Sequence, residues 1–105
     1  MPQTTADHEV TVINVFTVEP DNQQMLVELL VQAAQQIMSK QPGYKSARIH
    51  RSLDGAKVAV HAQWRSRKDF EGLAGNPEAA VHMRRARDLA TFEPVLYEVV
   101  FSHPG

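Results

Sequence analysis

At 105 residues the chain is the size of one domain and long enough to bury a core of its own. A net charge of −1 gives no reason to expect nucleic acid or an acidic lipid surface as partner. Because there is no cysteine, disulfides, thiolate nucleophiles, iron–sulfur clusters and cysteine-ligated zinc are excluded.

The opening M-P-Q-T-T-A-D-H-E lacks the basic-then-apolar plan of a signal peptide. No apolar run approaches the ~20 residues needed to span a bilayer, so a cytoplasmic protein with no membrane partner is the simplest expectation. Residues 1–9 read as a flexible lead-in, 10–101 as the folded domain and 102–105 as a tail.

Val10 to Val18, V-T-V-I-N-V-F-T-V, is almost wholly β-branched or aromatic and predicts a strand. Its alternate positions are Val10, Val12, Asn14, Phe16 and Val18 against Thr11, Ile13, Val15 and Thr17. Both sets are mostly apolar, so both faces of this strand should be covered. Glu19-Pro20-Asp21 ends it and opens a helix to about Ser39, with acidic residues at the positive end of the helix dipole. Met25, Leu26, Leu29, Leu30, Ala33 and Ile37 recur at helical spacing, and Gln23, Glu28, Gln32, Gln35 and Gln36 lie mostly on the other side. Gln41-Pro42-Gly43 stops the helix.

Tyr44 to Ser52 reads as a second strand and Lys57 begins a third, with Leu53-Asp54-Gly55-Ala56 between them. Asp-Gly between two such runs predicts a hairpin with a type I′ turn, which needs positive φ at both central residues. The third strand ends on the only tryptophan, Trp64. Period 2 puts Val58, Val60, Ala62 and Trp64 on one face, with Ala59, His61 and Gln63 on the other. Ser66 then reads as the N-cap of a short helix ending near Gly75, and Asn76-Pro77 opens another that runs to about Ala90. Val95 to Phe101 predicts the last strand.

The order is β-α-β-β-α-β with one central hairpin. It predicts an α+β fold, a ferredoxin-like antiparallel sandwich with both crossover helices on one side of the sheet. Ile13, Val15, Ala47, Ile49 and Ala59 are then expected on the side the helices leave bare, which predicts a homodimer packed sheet to sheet.

Asn14 is the residue least expected in its surroundings, because a buried carboxamide without partners costs roughly 1–3 kcal/mol. Either it is satisfied by nearby backbone or water, or its amide points into a pocket to bind a ligand oxygen. Trp64, beside residues no larger than valine, either fills a gap in the core or forms the wall of a pocket. If the first and third strands are neighbours, both side chains face the helices. His61 has the chemistry of a base near neutral pH, but alternation places it opposite Trp64. His8, His50, His82 and His103 have no ligand spacing, so no metal site is expected.

These pieces together resemble the antibiotic biosynthesis monooxygenase domains. The resemblance is carried by V-T-V-I-N-V-F-T-V-E-P, P-G-Y-K-S-A-R-I-H-R-S-L-D-G, A-Q-W-R-S-R-K-D-F and F-E-P-V-L-Y-E-V-V, which cover nearly the whole folded length in the family's order. It implies a dimeric α+β barrel that oxidises anthrone-type phenols or quinols with O2, using no metal, flavin or haem. Asn14 and Trp64 match the family's catalytic asparagine and motif tryptophan. Arg84 matches a substrate-contacting arginine of one branch, although its own neighbourhood, beside Arg85 and Arg87, reads as a solvated helix face. Phe16, Val60 and Phe70 complete the implied substrate site. Many relatives read N-Y-A-Q-W where this chain reads V-H-A-Q-W, so Val60 replaces an asparagine and His61 a tyrosine. Phe70 also stands where one branch has a tyrosine. A haem-degrading branch carries a ligating histidine about ten residues after the tryptophan, where this chain has Leu73, Ala74 and Gly75. The implied partners are a small aromatic substrate and O2. The alternatives are a non-catalytic homodimer that binds an apolar metabolite, or another reaction on the same scaffold, such as isomerisation or decarboxylation.

Overall fold

A computed structural model describes residues 9–104. The expectations for residues 1–8 and Gly105 lie outside it. Strand β1 (Val10–Val18) is the centre of the sheet and pairs antiparallel with β3 (Lys57–Trp64) over its whole length, Val10 opposite Trp64 and Thr17 opposite Lys57. Beyond β3 lies β2 (Tyr44–Arg51). The far edge of β1 is shared by two short strands, β4 (Ala90–Thr91) at Thr17–Val18 and β5 (Val95–Tyr97) at Thr11–Ile13. The order β2-β3-β1-β4 is the ferredoxin-like one expected from the sequence.

Helix α1 (Gln23–Gln36) is entered through a 3-10 turn at Pro20–Asn22 and followed by another at Met38–Lys40. Leu26, Leu30 and Ala33 form its buried stripe, and Ile37 just beyond its end is buried too. Two side chains depart from the expected faces. Met25 is exposed, and Gln23 is buried, with its amide nitrogen donating to the carbonyls of Ser52 (3.1 Å) and Lys57 (3.0 Å). Those two bonds tie the start of α1 to the base of the β2–β3 hairpin.

The hairpin is not type I′. Only Gly55 has positive φ (84°), while Asp54 does not. Gly55 N–H donates to Ser52 O (3.3 Å) and Ser52 N–H to Lys57 O (2.9 Å), which gives a longer loop with one left-handed residue. The Asp54 carboxylate accepts from Ala56 N–H and from the Ser52 hydroxyl, which together hold its pKa below the ordinary value.

The sheet faces also differ from a simple alternation. Tyr44 pairs with Trp64 but Ser46 pairs with Gln63, so Lys45 has no residue opposite. That extra residue reverses the alternation along β2. Ala47 and Ile49, expected on the bare face, pair with Ala62 and Val60 and point toward the helices instead. Ile13, Val15 and Ala59 do lie on the outer face, where Val15 is exposed. The second covering expected for β1 is therefore absent within one chain.

Helix α2 (Arg67–Gly72) starts at Ser66, whose hydroxyl oxygen accepts from Asp69 N–H (3.1 Å). A 3-10 turn at Leu73–Gly75 leads to α3 (Pro77–Leu89). Asn76 caps α3 by accepting from the N–H groups of Glu78 (2.9 Å) and Ala79 (3.1 Å). The last strand is shorter than its composition implies. It ends at Tyr97, and Val99, Val100 and Phe101 lie outside the sheet, exposed.

Candidate active site

The buried core falls into two clusters. One gathers Phe16, Val18, Leu26, Leu30, Val58, Ala86 and Ala90; the other holds Val12, Ala62 and Trp64. Between them lies the pair Asn14 and Val60, directly opposite each other on β1 and β3. The helices supply Ala33, Ala34, Ala79 and Ala80 at the cavity wall, and side chains of one carbon leave the space above the sheet unfilled. The result is a cavity of about 590 Å³ between the sheet, α1 and α3, large enough for a drug-sized ligand.

Trp64 forms its end wall. The indole is fully buried and packed edge-on by Tyr44 (5.6 Å between ring centres) and Phe70 (5.8 Å). It therefore both fills the second core cluster and walls the cavity. Its ring nitrogen is buried without a hydrogen-bond acceptor. Asn14 is 8% exposed, and its side-chain oxygen is likewise buried and unpaired. An unsatisfied buried polar atom is costly, and here the donor and the acceptor belong to two residues on the wall of the same cavity.

The end of the cavity that carries Trp64 is fixed by a small polar node. Asp69 accepts two hydrogen bonds from the Arg65 guanidinium (2.8 and 3.1 Å) and one from the Ser66 hydroxyl (3.0 Å). The Arg65 hydrogen bonds hold its carboxyl below the ordinary pKa, with Ser66 acting in the same direction. Gly43 approaches this carboxylate so closely that a Cβ would lie 2.3 Å from its Oδ2, and its φ of +83° also requires glycine. Arg65 N–H donates to Gly43 O (2.7 Å), which locks the start of β2 to the end of β3. Phe70, one residue beyond Asp69, is thereby set against the indole.

Asn14, Trp64, Phe16, Val60, Phe70 and Arg84 all line this one cavity. Arg84 is exposed, as a solvated helix face requires, and also stands at the cavity wall. Arg87, one turn further along α3, also lines the cavity and was not singled out by the sequence. Three exposed arginines within four residues gave no indication which of them border the cavity. His61 is on the outer face, opposite Ile13 and Arg48, and takes no part. Leu73 and Ala74 form part of the wall and offer no imidazole. Among the described residues no group of three or more His, Cys, Asp or Glu is placed to hold a metal. No helix among them is long and apolar enough to cross a membrane.

Residues 9–85 match the family model for antibiotic biosynthesis monooxygenase. The chain is similar to tetracenomycin-F1 monooxygenase of Streptomyces glaucescens, 37% identical over 92 residues, which cover 88% of this chain and 82% of that protein. Among solved structures it resembles SnoaB, a cofactor-independent oxygenase from Streptomyces nogalater. There the TM-score is 0.81 at 25% identity, over 92% of this chain and 98% of that one. It equally resembles a monooxygenase from the gene ActVA-Orf6 of Streptomyces coelicolor in complex with nanaomycin D, with TM-score 0.81, 26% identity and 91% of each chain covered.

Proposed function

Because the chain belongs to the antibiotic biosynthesis monooxygenase family, we propose that it is a cofactor-independent monooxygenase. Its substrate in this reading is an aromatic phenol, quinol or anthrone, oxidised by O2, and the working unit is a homodimer. The observation that supports this most is the open cavity whose two unpaired buried polar atoms belong to Asn14 and Trp64. A structural asparagine would have found a partner in the fold; this one is buried without one, on a residue that lines the cavity.

An electron-rich phenol or anthrone, once deprotonated, can itself hand an electron to O2. The protein's task is then to take the substrate out of water, stabilise its anion and keep O2 beside it. The Asn14 carboxamide has the right chemistry for the anion, since its oxygen can accept from a phenolic O–H and its NH2 can donate to the phenolate that follows. The Trp64 N–H is a second donor. Trp64 lies opposite Val10, four residues from Asn14, or about 13 Å along the strand between backbone positions. A rigid, fused-ring substrate is long enough to address both groups. For an anthrone the balance is simple: the ring CH2 loses two hydrogens and gains one oxygen atom of O2, and the other oxygen leaves as water.

The direct test is O2 consumption with anthrone and naphthalene-type quinols. The expected result is one O2 consumed per quinone formed, by apoprotein treated with chelator. Tight binding of these compounds without turnover would instead identify a metabolite-binding protein on the same scaffold.

A further inference from the structure

A second hollow, of about 420 Å³, lies between α1 and the edge strand β2. Val31, Gln35 and Ser39, all exposed, form its outer rim, and Tyr44 lines it further in. Ala34 from α1 and Ala47 and Ile49 from β2 line both this hollow and the central cavity, so they are the wall the two share. Two of those three side chains are a single carbon. Close packing of helix on strand does not account for them, because the hollow lies just there. Leucine at position 34 would suit the helix about as well and would bury more apolar surface. Alanine leaves that stabilisation unused and a thin partition in its place.

The partition is apolar because of the register shift at Lys45. Without it, alternation would turn Ser46 and Arg48 toward the helices and set a hydroxyl and a guanidinium in the gap. With it, Ile49 pairs with Val60 and Val60 with Asn14, which makes one row across β2, β3 and β1. At about 4.8 Å between neighbouring strands the row is about 10 Å long, and it runs from the wall of the hollow to Asn14. The cavity's own exposed rim is formed elsewhere, around α3, by Glu71, Ala80, Arg84, Arg87 and Pro94.

Resting on the monooxygenase reading above, we propose that the hollow between α1 and β2 admits O2 to the cavity by a path separate from that of the organic substrate. A flat, fused-ring substrate entering beside α3 covers that rim as it is taken out of water, and O2 then needs a second way to the anion. O2 is diatomic and apolar and needs no hydrogen bond, so it passes between methyl groups that exclude a ring system or a hydrated ion. The rim hydroxyl does not oppose this, because Ser39 Oγ already donates to Gln35 O (2.8 Å).

Trp64 is the only tryptophan, fully buried and packed against Tyr44 of the hollow. Collisional quenching of its emission by dissolved O2 therefore reports arrival of the gas without requiring turnover. In the parent, O2 should quench Trp64 and iodide, a hydrated anion, should not. Val31→Phe and Gln35→Phe place a ring in the hollow without altering a residue of the cavity wall, and each should lower the O2 quenching constant severalfold. Ala80→Phe, at the rim beside α3, should leave that constant unchanged. With a naphthalene-type quinol, the O2 concentration for half-maximal turnover should rise severalfold in the two hollow variants, while the quinol's affinity measured under nitrogen stays the same. Quenching constants that match the parent in both hollow variants, or a fall as large in Ala80→Phe, overturn the inference. Quenching by iodide as efficient as by O2 does so too, since it would reveal an open aqueous path. A loss of quinol affinity in the hollow variants would make the hollow part of the organic site and equally overturn it. O2 access through the hollow without O2 consumption would refute the monooxygenase reading and leave this inference standing.

Discussion

Asn14 and Trp64 are predicted to behave differently on truncation because one supports the fold and the other does not. The Asn14 amide is unpaired, so Asn14→Ala removes a group that costs stability and breaks no hydrogen bond. The melting temperature should hold or rise slightly, while kcat falls by ~10²-fold, the scale of losing one oxyanion donor. Measuring O2 uptake and thermal unfolding on one sample separates the roles; an unchanged rate with a much lower melting point would make Asn14 a core residue. Trp64 is packed by Tyr44 and Phe70, and Trp64→Ala should cost about 3–5 kcal/mol in denaturant unfolding. Trp64→Phe keeps most of the packing and loses the N–H, so it should cost activity far more than stability. Asn14 was legible in the sequence because an amide between Ile13 and Val15 conflicts with its surroundings. Arg87 was not, because a guanidinium is at home on any helix surface, and only the packing of Phe92 on Phe16 fixes where it points.

Elements were legible where local chemistry decides them, such as the Asn76-Pro77 start of α3, the Ser66 cap and the β-branched run of β1. They were less legible where one residue changes a register. The unpaired Lys45 turns Ala47 and Ile49 inward, and no composition signal marks it. The turn at Asp54-Gly55 likewise follows from how Ser52, Asp54 and Gln23 share hydrogen bonds at the hairpin base. The node that orients α2 against β3 makes a pH prediction at this scale. The Arg65 hydrogen bonds hold the folded-state pKa of Asp69 below the ordinary carboxylate value, so its contribution is present above that ordinary value. The contribution is lost as pH falls through the lower, folded-state pKa. Asp69→Asn should therefore melt below the parent at neutral pH, and the gap should narrow on acidification below about pH 4. The same substitution should loosen Phe70 against the indole and shift the emission of Trp64. A gap that stays constant down to acid would assign Asp69 a purely steric role beside Gly43.

At the scale of the whole molecule the two faces of the sheet are unequal. The inner face carries the helices and the cavity; the outer face of β1 and β5 presents Val15 (45% exposed), Val95 (44%) and Tyr97 (46%). Beyond β5 the chain continues through Val99 and Val100 to Phe101, which is 77% exposed. Across β3 and β2 the same face turns polar, with Gln63, His61, Arg48 and His50. The apolar part thus forms a band along one side, continuous with the terminal segment. Large contiguous apolar patches are uncommon on monomers, and a second copy of this chain is the occupant that fits both the band and the segment. The proposed homodimer predicts a melting temperature that rises with protein concentration, since association stabilises only the folded form. Val15 points away from the cavity, so Val15→Glu leaves the ligand wall intact while placing a charge within the band. Burying that charge unpaired costs several kcal/mol, enough to dissociate a dimer of ordinary affinity. Light scattering should then give the mass of two chains for the parent and one for Val15→Glu. A naphthalene-type quinol should still quench Trp64 in that monomer if the site is built from one chain alone. A parent that is already monomeric at micromolar concentration would defeat the dimer and leave the band as bare surface.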